Sequence, residues 1–204
     1  VPEESVALRL LEHPMLGTVE VLSVPAELTF PLRQQVLRPH QSLAEMAKLG
    51  QGSEDGLVLA ARLAPSGDIV ATGAVVAEAP PAELVEEIGH RGPAWRVRGM
   101  ATRTDARGAG IGASVLEVLV EHVAGRGGGL LWCNARTGAT TLYERAGFRS
   151  FGDEFEAPLI GPHIVMWRLV PYDWPARGPS AALDDRLHLH DSERHGARGR
   201  HGRQ

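Results

Sequence analysis

Apolar positions between residues 17 and 170 recur with two periods, near two and near 3.6, and each run predicts an element. Thr18 to Val24 alternates weakly and reads as a strand. From Pro25 to Leu37, the residues Leu28, Leu32, Val36 and Leu37 fall at helical spacing, with Pro25 near the start and Pro39 as a stop. Leu57 to Leu63 and Ile69 to Val76 are β-rich runs separated by Pro65-Ser66-Gly67-Asp68, a hairpin signature. Pro80 to Ile88 fits a short surface helix, and in Ala94 to Arg103 the residues Trp95, Val97 and Gly99 alternate with arginines as in a strand.

The glycine-rich run Arg107-Gly108-Ala109-Gly110-Ile111-Gly112 then precedes a helix whose apolar face is Val115, Leu116, Leu119, Val120 and Val123. Gly127-Gly128-Gly129 closes that unit, and Leu130 to Cys133 reads as a buried strand. Gly138 to Ala146 forms a further helix, ended by Gly147. Phe148 to Phe151 and Ile164 to Leu169 complete the pattern as strands. Three to four antiparallel strands, then strand, glycine loop, helix, strand, helix and strands, indicate an α/β fold with a mixed sheet. Residues 1–16 form a lead without an assigned role, and 17–170 form the domain. From Pro171 the chain turns to Pro, Gly, Arg and His, so residues 171–204 are expected to be a disordered tail.

Composition narrows the chemistry. With 21 basic against 25 acidic residues the net charge is −4, which argues against generic nucleic-acid binding. Lys48 is the sole lysine, so a central catalytic lysine is excluded. No apolar run is long enough to span a membrane, and Val1-Pro2-Glu3-Glu4 is unlike a signal peptide. Cys133 is the single cysteine, which excludes an internal disulfide and a cysteine-based zinc site. The expectation is a reduced, cytoplasmic protein without a membrane partner or a metal.

A glycine turn between strand and helix aims backbone N–H groups at one point, at the positive end of the helix dipole, and suits phosphate oxygens. A nucleoside-triphosphate loop needs a lysine where Ala113-Ser114 stands. A dinucleotide loop fits G-x-G-x-x-A better, but Thr104-Asp105-Ala106-Arg107 separates it from the strand and no acidic residue lies near position 133. A glycine connection that holds no ligand is a further reading, and coenzyme A is another.

For the last of these, the residues resemble a family. Asp105-Ala106-Arg107-Gly108-Ala109-Gly110-Ile111-Gly112, after Met100-Ala101-Thr102, is similar to the R-x-x-G-x-G motif of the GNAT acyl-CoA N-acyltransferases. Leu142-Tyr143-Glu144-Arg145-Ala146-Gly147-Phe148 resembles that family's L-Y-x-x-x-G-F signature. Gly161-Pro162-His163-Ile164-Val165-Met166 resembles a segment of the ElaA-like subgroup, although Ala157-Pro158-Leu159 is inserted before it.

The resemblance implies a GNAT-like, mostly antiparallel V-shaped sheet of six to seven strands flanked by about four helices. It implies acetyl-CoA as co-substrate, bound by Met100, Ala101, Thr102, Arg107, Gly108, Ala109, Gly110, Ile111, Gly112 and Ala113. It also implies acetyl transfer to a primary amine by direct attack, with Tyr143 as general acid. The strand from Ala94 to Arg103 lacks the carboxylate that many members carry there, so the base is sought among Glu78, Glu154, Glu156 and His163. A non-catalytic acyl-CoA sensor and a dinucleotide-dependent oxidoreductase stand as alternatives. Partners would be the co-substrate, an amine on a small molecule or a protein, and a second copy of the chain in a homodimer.

Weaker signals remain. Cys133 in a buried strand reads as packing, with an acetyl-cysteine relay as the reactive alternative. Arg96 and Arg98 mark either a solvated sheet face or a site for an anionic substrate. His188, His190, His195 and His201 could collect a metal, but in a tail expected to be disordered they are expected to bind nothing specific; Ser114 lacks the flanks of a hydrolase nucleophile.

Overall fold

The computed structural model describes residues 7–45, 55–64 and 66–172. These all fall in the first of the chain's two compact units, residues 1–174. The tail expectation, and the histidines in it, lie outside the described residues from 173 onward.

The strands are β1 (Ala7–His13), β2 (Gly17–Ser23), β3 (Leu57–Leu63), β4 (Ile69–Ala77), β5 (Ala94–Thr102), β6 (Gly129–Arg136), β7 (Arg149–Ala157) and β8 (Gly161–Val170). They form one sheet in the order β1-β2-β3-β4-β5-β6-β8-β7. Every neighbouring pair is antiparallel except β5 with β6. Among the described residues, four α-helices have both ends defined: α1 (Phe30–Leu37), α2 (Ala82–Ile88), α3 (Ile111–Gly125) and α4 (Thr140–Arg145). Residues 43–45 are helical as well.

The sheet has eight strands where six to seven were expected, and the extra one comes from the unassigned lead. In β1 the half-buried positions include Arg9, while Leu8 and Leu10 are 51% and 58% exposed, so no inward apolar alternation marks it. It is held by its ladder to β2 and by Arg9, which binds Glu117 at 2.5 Å and Glu121 at 2.6 Å on α3. Two expected helices are shorter than their apolar spacing suggested. Ala26–Thr29 is a 3₁₀ turn leading into α1, tightened by the Thr29 hydroxyl donating to the Ala26 carbonyl (2.7 Å). Thr137–Ala139 is likewise 3₁₀ ahead of α4. Strand β7 runs on to Ala157, so of the inserted Ala157-Pro158-Leu159 the first residue ends β7 and the other two enter the turn into β8.

Helix α3 organises the core. Val115, Leu116, Leu119, Val120 and Val123 are at most 2% exposed and pack with Leu59, Val75, Val97 and Leu131. Each such side chain contributes roughly 1.5–3 kcal/mol by leaving water. Cβ-less Gly73 of β4 sits beneath the helix: a side chain there would overlap Met100 Sδ and stand 3.0 Å from Val115 Cγ1. We therefore expect Gly73→Val to destabilise the domain by about 1–3 kcal/mol through overpacking. A drop in Tm of several degrees in a thermal melt checks this, and an unchanged Tm would contradict the packing described.

Candidate active site

Strands β5 and β6 run together only briefly. Their register extends from Ala94↔Leu130 to Arg96↔Trp132 and then stops. Beyond it β5 remains bonded to β4 and β6 to β8, so two parallel strands fork and leave a cleft between them. On the β5 side the ladder is further broken: Thr72 pairs with Ala101 but Ala74 with Arg98, one residue more on β5 than on β4. This bulge is centred on Gly99, whose φ of +64° is accessible chiefly to glycine. It redirects the backbone beside Met100 at the mouth of the fork.

The glycine loop leaves the end of β5. Arg103 N–H still bonds the Val70 carbonyl (2.8 Å), Thr104–Ala106 makes one 3₁₀ turn, and Gly110 (φ +75°) caps α3 in the left-handed region. The first bond of the helix runs from Ser114 N–H to the Gly110 carbonyl (3.0 Å). The amides of Ile111, Gly112 and Ala113 therefore belong to the first turn, which an α-helix leaves without intrahelical partners. A Cβ at Gly108 or Gly110 would meet no atom within 4 Å, so the space over the loop is open. Arg107 Nε donates to the Thr102 carbonyl at 3.3 Å, which holds the guanidinium beside the loop.

A cavity of about 790 Å³ runs from this loop into the fork. Its walls include Met100, Ala101, Thr102, Arg107, Gly108, Gly110, Ile111, Gly112, Ala113 and Tyr143. Ala109, named with them from the sequence, instead packs its side chain against the core. A second cavity of about 300 Å³ lies deeper between α1, β5, β6 and the β7–β8 hairpin. Both are lined by Met100, Ala139 and Tyr143, so they meet where the bulge faces α4.

Tyr143 is fixed at that junction by the end of α4. The Phe148 and Gly147 amides bond the Tyr143 and Glu144 carbonyls (3.0 and 2.9 Å), Gly147 takes φ +80°, and Arg168 donates to the Ala146 carbonyl. Its ring meets Phe148 edge-on at 5.5 Å. Burial, reinforced by the charge and hydrogen bonding of the adjacent Cys133, holds the Tyr143 hydroxyl above the ordinary phenol range. It is therefore a protonated donor at any working pH.

The family model for the acetyltransferase (GNAT) domain matches residues 54–150, which span the bulge, the loop and Tyr143. The chain carries a GNAT domain. It is thereby an acyltransferase. A curated relative, the uncharacterized N-acetyltransferase YitI of Bacillus subtilis (strain 168), is 29% identical over 150 residues, covering 74% of this chain and 95% of its own length. The glucosamine 6-phosphate N-acetyltransferase 1 of Oryza sativa subsp. japonica is 34% identical over 118 residues, or 58% of this chain and 65% of its own. In fold the domain is similar to a GNAT phosphinothricin acetyltransferase from Sinorhizobium meliloti in complex with AcCoA, with TM-score 0.56, 17% identity and coverage of 82% and 97%. The mixed sheet, parallel only at β5–β6, also excludes the doubly wound parallel sheet of a dinucleotide fold.

The GNAT domain treats the candidate bases differently. His163 lies on the wall of the deeper cavity, is 6% exposed and stacks on Phe155. Its Nδ1 is 2.8 Å from the Gly161 carbonyl; only a protonated Nδ1 can donate there, so the neutral ring presents Nε2 as acceptor. Glu154 is not brought to the site. The register of β7 slips between Phe151 and Phe155, and Phe155 and Ala157 face the cavity while Glu154 and Glu156 are exposed. Glu78 is held by Arg96 at 2.5 Å and Arg98 at 3.7 Å. Sequence reasoning missed Arg33 from α1, Arg38 just past its end and Arg136 from β6, all on the wall of the deeper cavity. Only their placement across the fork reveals them. Among the described residues, no three His, Cys, Asp or Glu side chains cluster as a metal site, and no helix is long and apolar enough to cross a membrane.

Cys133 is 1% exposed, and burial raises its thiol to about 12. At pH 8 only roughly 10⁻⁴ of it is thiolate, too little for an acetyl-cysteine relay. A chromogenic disulfide reagent should therefore find no thiol in the native protein and one after denaturation. Rapid native labelling would restore the relay.

Proposed function

We propose that the protein transfers an acetyl group from acetyl-CoA to the primary amine of an acceptor. The observation that carries this reading is the junction at Met100 and Tyr143, where a cavity from an amide-lined helix start meets a second cavity. Two reactants can enter by different cavities and meet there, and bringing them together is the largest contribution such a site makes.

The residues present suit the co-substrate. The first-turn amides of α3 and the Arg107 guanidinium offer donors and positive charge for a diphosphate, with no Cβ in the way at Gly108 or Gly110. The edge of β5 that faces the fork is unpaired past Arg96, which suits an extended arm bearing amides. When bound, the thioester supplies an activated acyl group. A strand N–H near Met100 or Ala101, beside the bulge, is the candidate donor to the oxygen that gains charge. Tyr143, kept protonated, delivers a proton to the departing sulfur. His163 Nε2 is the candidate acceptor, directly or through water, for the proton that the amine releases.

Titration calorimetry should find saturable CoA binding. Gly110→Trp, whose side chain would project over the open loop, should weaken it tenfold or more while costing about 1–2 kcal/mol of stability from the left-handed backbone. No CoA binding to the wild-type protein would end the reading. Tyr143→Phe, which keeps the ring packing, should lower kcat by about 10²-fold or more with little change in CoA affinity. Because the phenol lies above its ordinary 10.0, the wild-type rate should rise with pH as the amine loses its proton and show no descending limb up to that value. A limb centred below it would assign the acid to another group.

A further inference from the structure

The deeper cavity has an electrostatic character that acetyl transfer alone does not require. Arg33, Arg38, Arg96, Arg98 and Arg136 line it, and its walls carry no aspartate or glutamate among the described residues. Glu78, outside the wall, pairs with Arg96 and Arg98. Arg136 donates to the Leu37 carbonyl at 2.7 Å and ties α1 to β6.

Among the described residues, Arg33 has no such neighbour. Its guanidinium lies directly over the bulge, Cζ being 2.9 Å from where a Gly99 Cβ would stand, and 5.9 Å from the Phe30 ring. Its Nε is buried without a hydrogen-bond partner, as is that of Arg96. Burial, followed by the charges of Arg98 and Arg38, draws the Arg33 guanidinium below the usual arginine range. A buried donor left unmet among like charges is costly. An anion in the cavity would offset the gathered like charges, and guanidinium forks match carboxylate and phosphate oxygens.

We infer that this cavity holds an anionic group of the acceptor, a phosphate or a carboxylate on the amine-bearing molecule, with Arg33 at its centre and Arg38 and Arg98 beside it. The acceptor is then a small amine of net anionic or zwitterionic character. Its anchored end sits under α1, and its amine points to the junction at Met100 and Tyr143. This rests on the acetyltransferase reading and names its acceptor class.

The test starts with CoA binding to the wild-type protein, because its absence would sink acetyl transfer itself, not the anion site. Inorganic phosphate and malonate are then titrated into CoA-saturated protein. Saturable binding of at least one is expected, weakened tenfold or more in Arg33→Gln and Arg38→Gln, with retained CoA affinity showing that the variants fold. Matched acceptors are next compared with acetyl-CoA by thiol release: a phosphorylated amino sugar against its unphosphorylated form, and glutamate against glutamine. The anionic member of at least one pair should have a kcat/KM ten or more times higher, mainly through KM, and the pair that responds names the anion. Equal kcat/KM within both pairs overturns the inference. If none of the four amines reacts, the anion titration decides, and CoA-loaded protein that binds neither phosphate nor malonate overturns it. If the variants do not fold, the wild-type comparisons stand alone.

Discussion

The structure depends on one interruption in hydrogen bonding: β5 and β6 pair over three residues and then part. Continuous parallel pairing would close the sheet and leave no cleft. Each strand is instead committed to its outer neighbour, β5 to β4 and β6 to β8, and those ladders carry the fold past the gap. The inner edges retain backbone donors and acceptors that need partners, a demand that water or an extended ligand can meet and that apolar packing cannot. The bulge at Gly99 lies on the same stretch of β5, so the break in the sheet and the redirected backbone are one local feature.

Helix α3 links this feature to stability. Its apolar face is the centre of the core, and its first turn forms the wall of the larger cavity. Gly73 lets the helix and the Met100 side chain approach the same point of β4, so the core and the mouth of the fork are in contact. The loop amides are thereby held by a rigid element that the core keeps in place. Such support lets donors be oriented before a ligand arrives, instead of reorganising around it.

Much of this was legible in the residues themselves. Alternation and apolar runs located β2 through β6, the start of β7 and β8, and the glycine loop with the L-Y-x-x-x-G-F run located the larger cavity. Strand β1 was not legible, because its inward face includes Arg9 while Leu8 and Leu10 face outward; ion pairs to α3 hold it, and they leave no periodic trace. The start of α1 misled for a different reason: helical spacing cannot distinguish a 3₁₀ turn from the α-helix that follows it. Glu154 stood close to the right place in sequence, but it alternates with Phe155 and Ala157 along β7, and those two face the cavity. Arg33, Arg38 and Arg136 were beyond sequence reading, since they converge only when α1 is laid across the fork.

The arginines and the missing strand carboxylate can be understood together. A carboxylate on β5 would neutralise the guanidinium groups of the deeper cavity and oppose an anionic ligand; the alternating positions of β5 carry Arg96 and Arg98 instead. Positive charge around an amine also disfavours its protonated form, since like charges lower the pKa of an ammonium. On the proposed reading, an acceptor anchored by its anionic end would enter a field that assists loss of the amine's proton before attack. The site then needs only a modest proton acceptor, and the imidazole of His163, whose Nδ1 faces the Gly161 carbonyl, meets that need without a carboxylate buried among cations. The charge that selects the acceptor and the chemistry that activates it would thus arise from the same side chains.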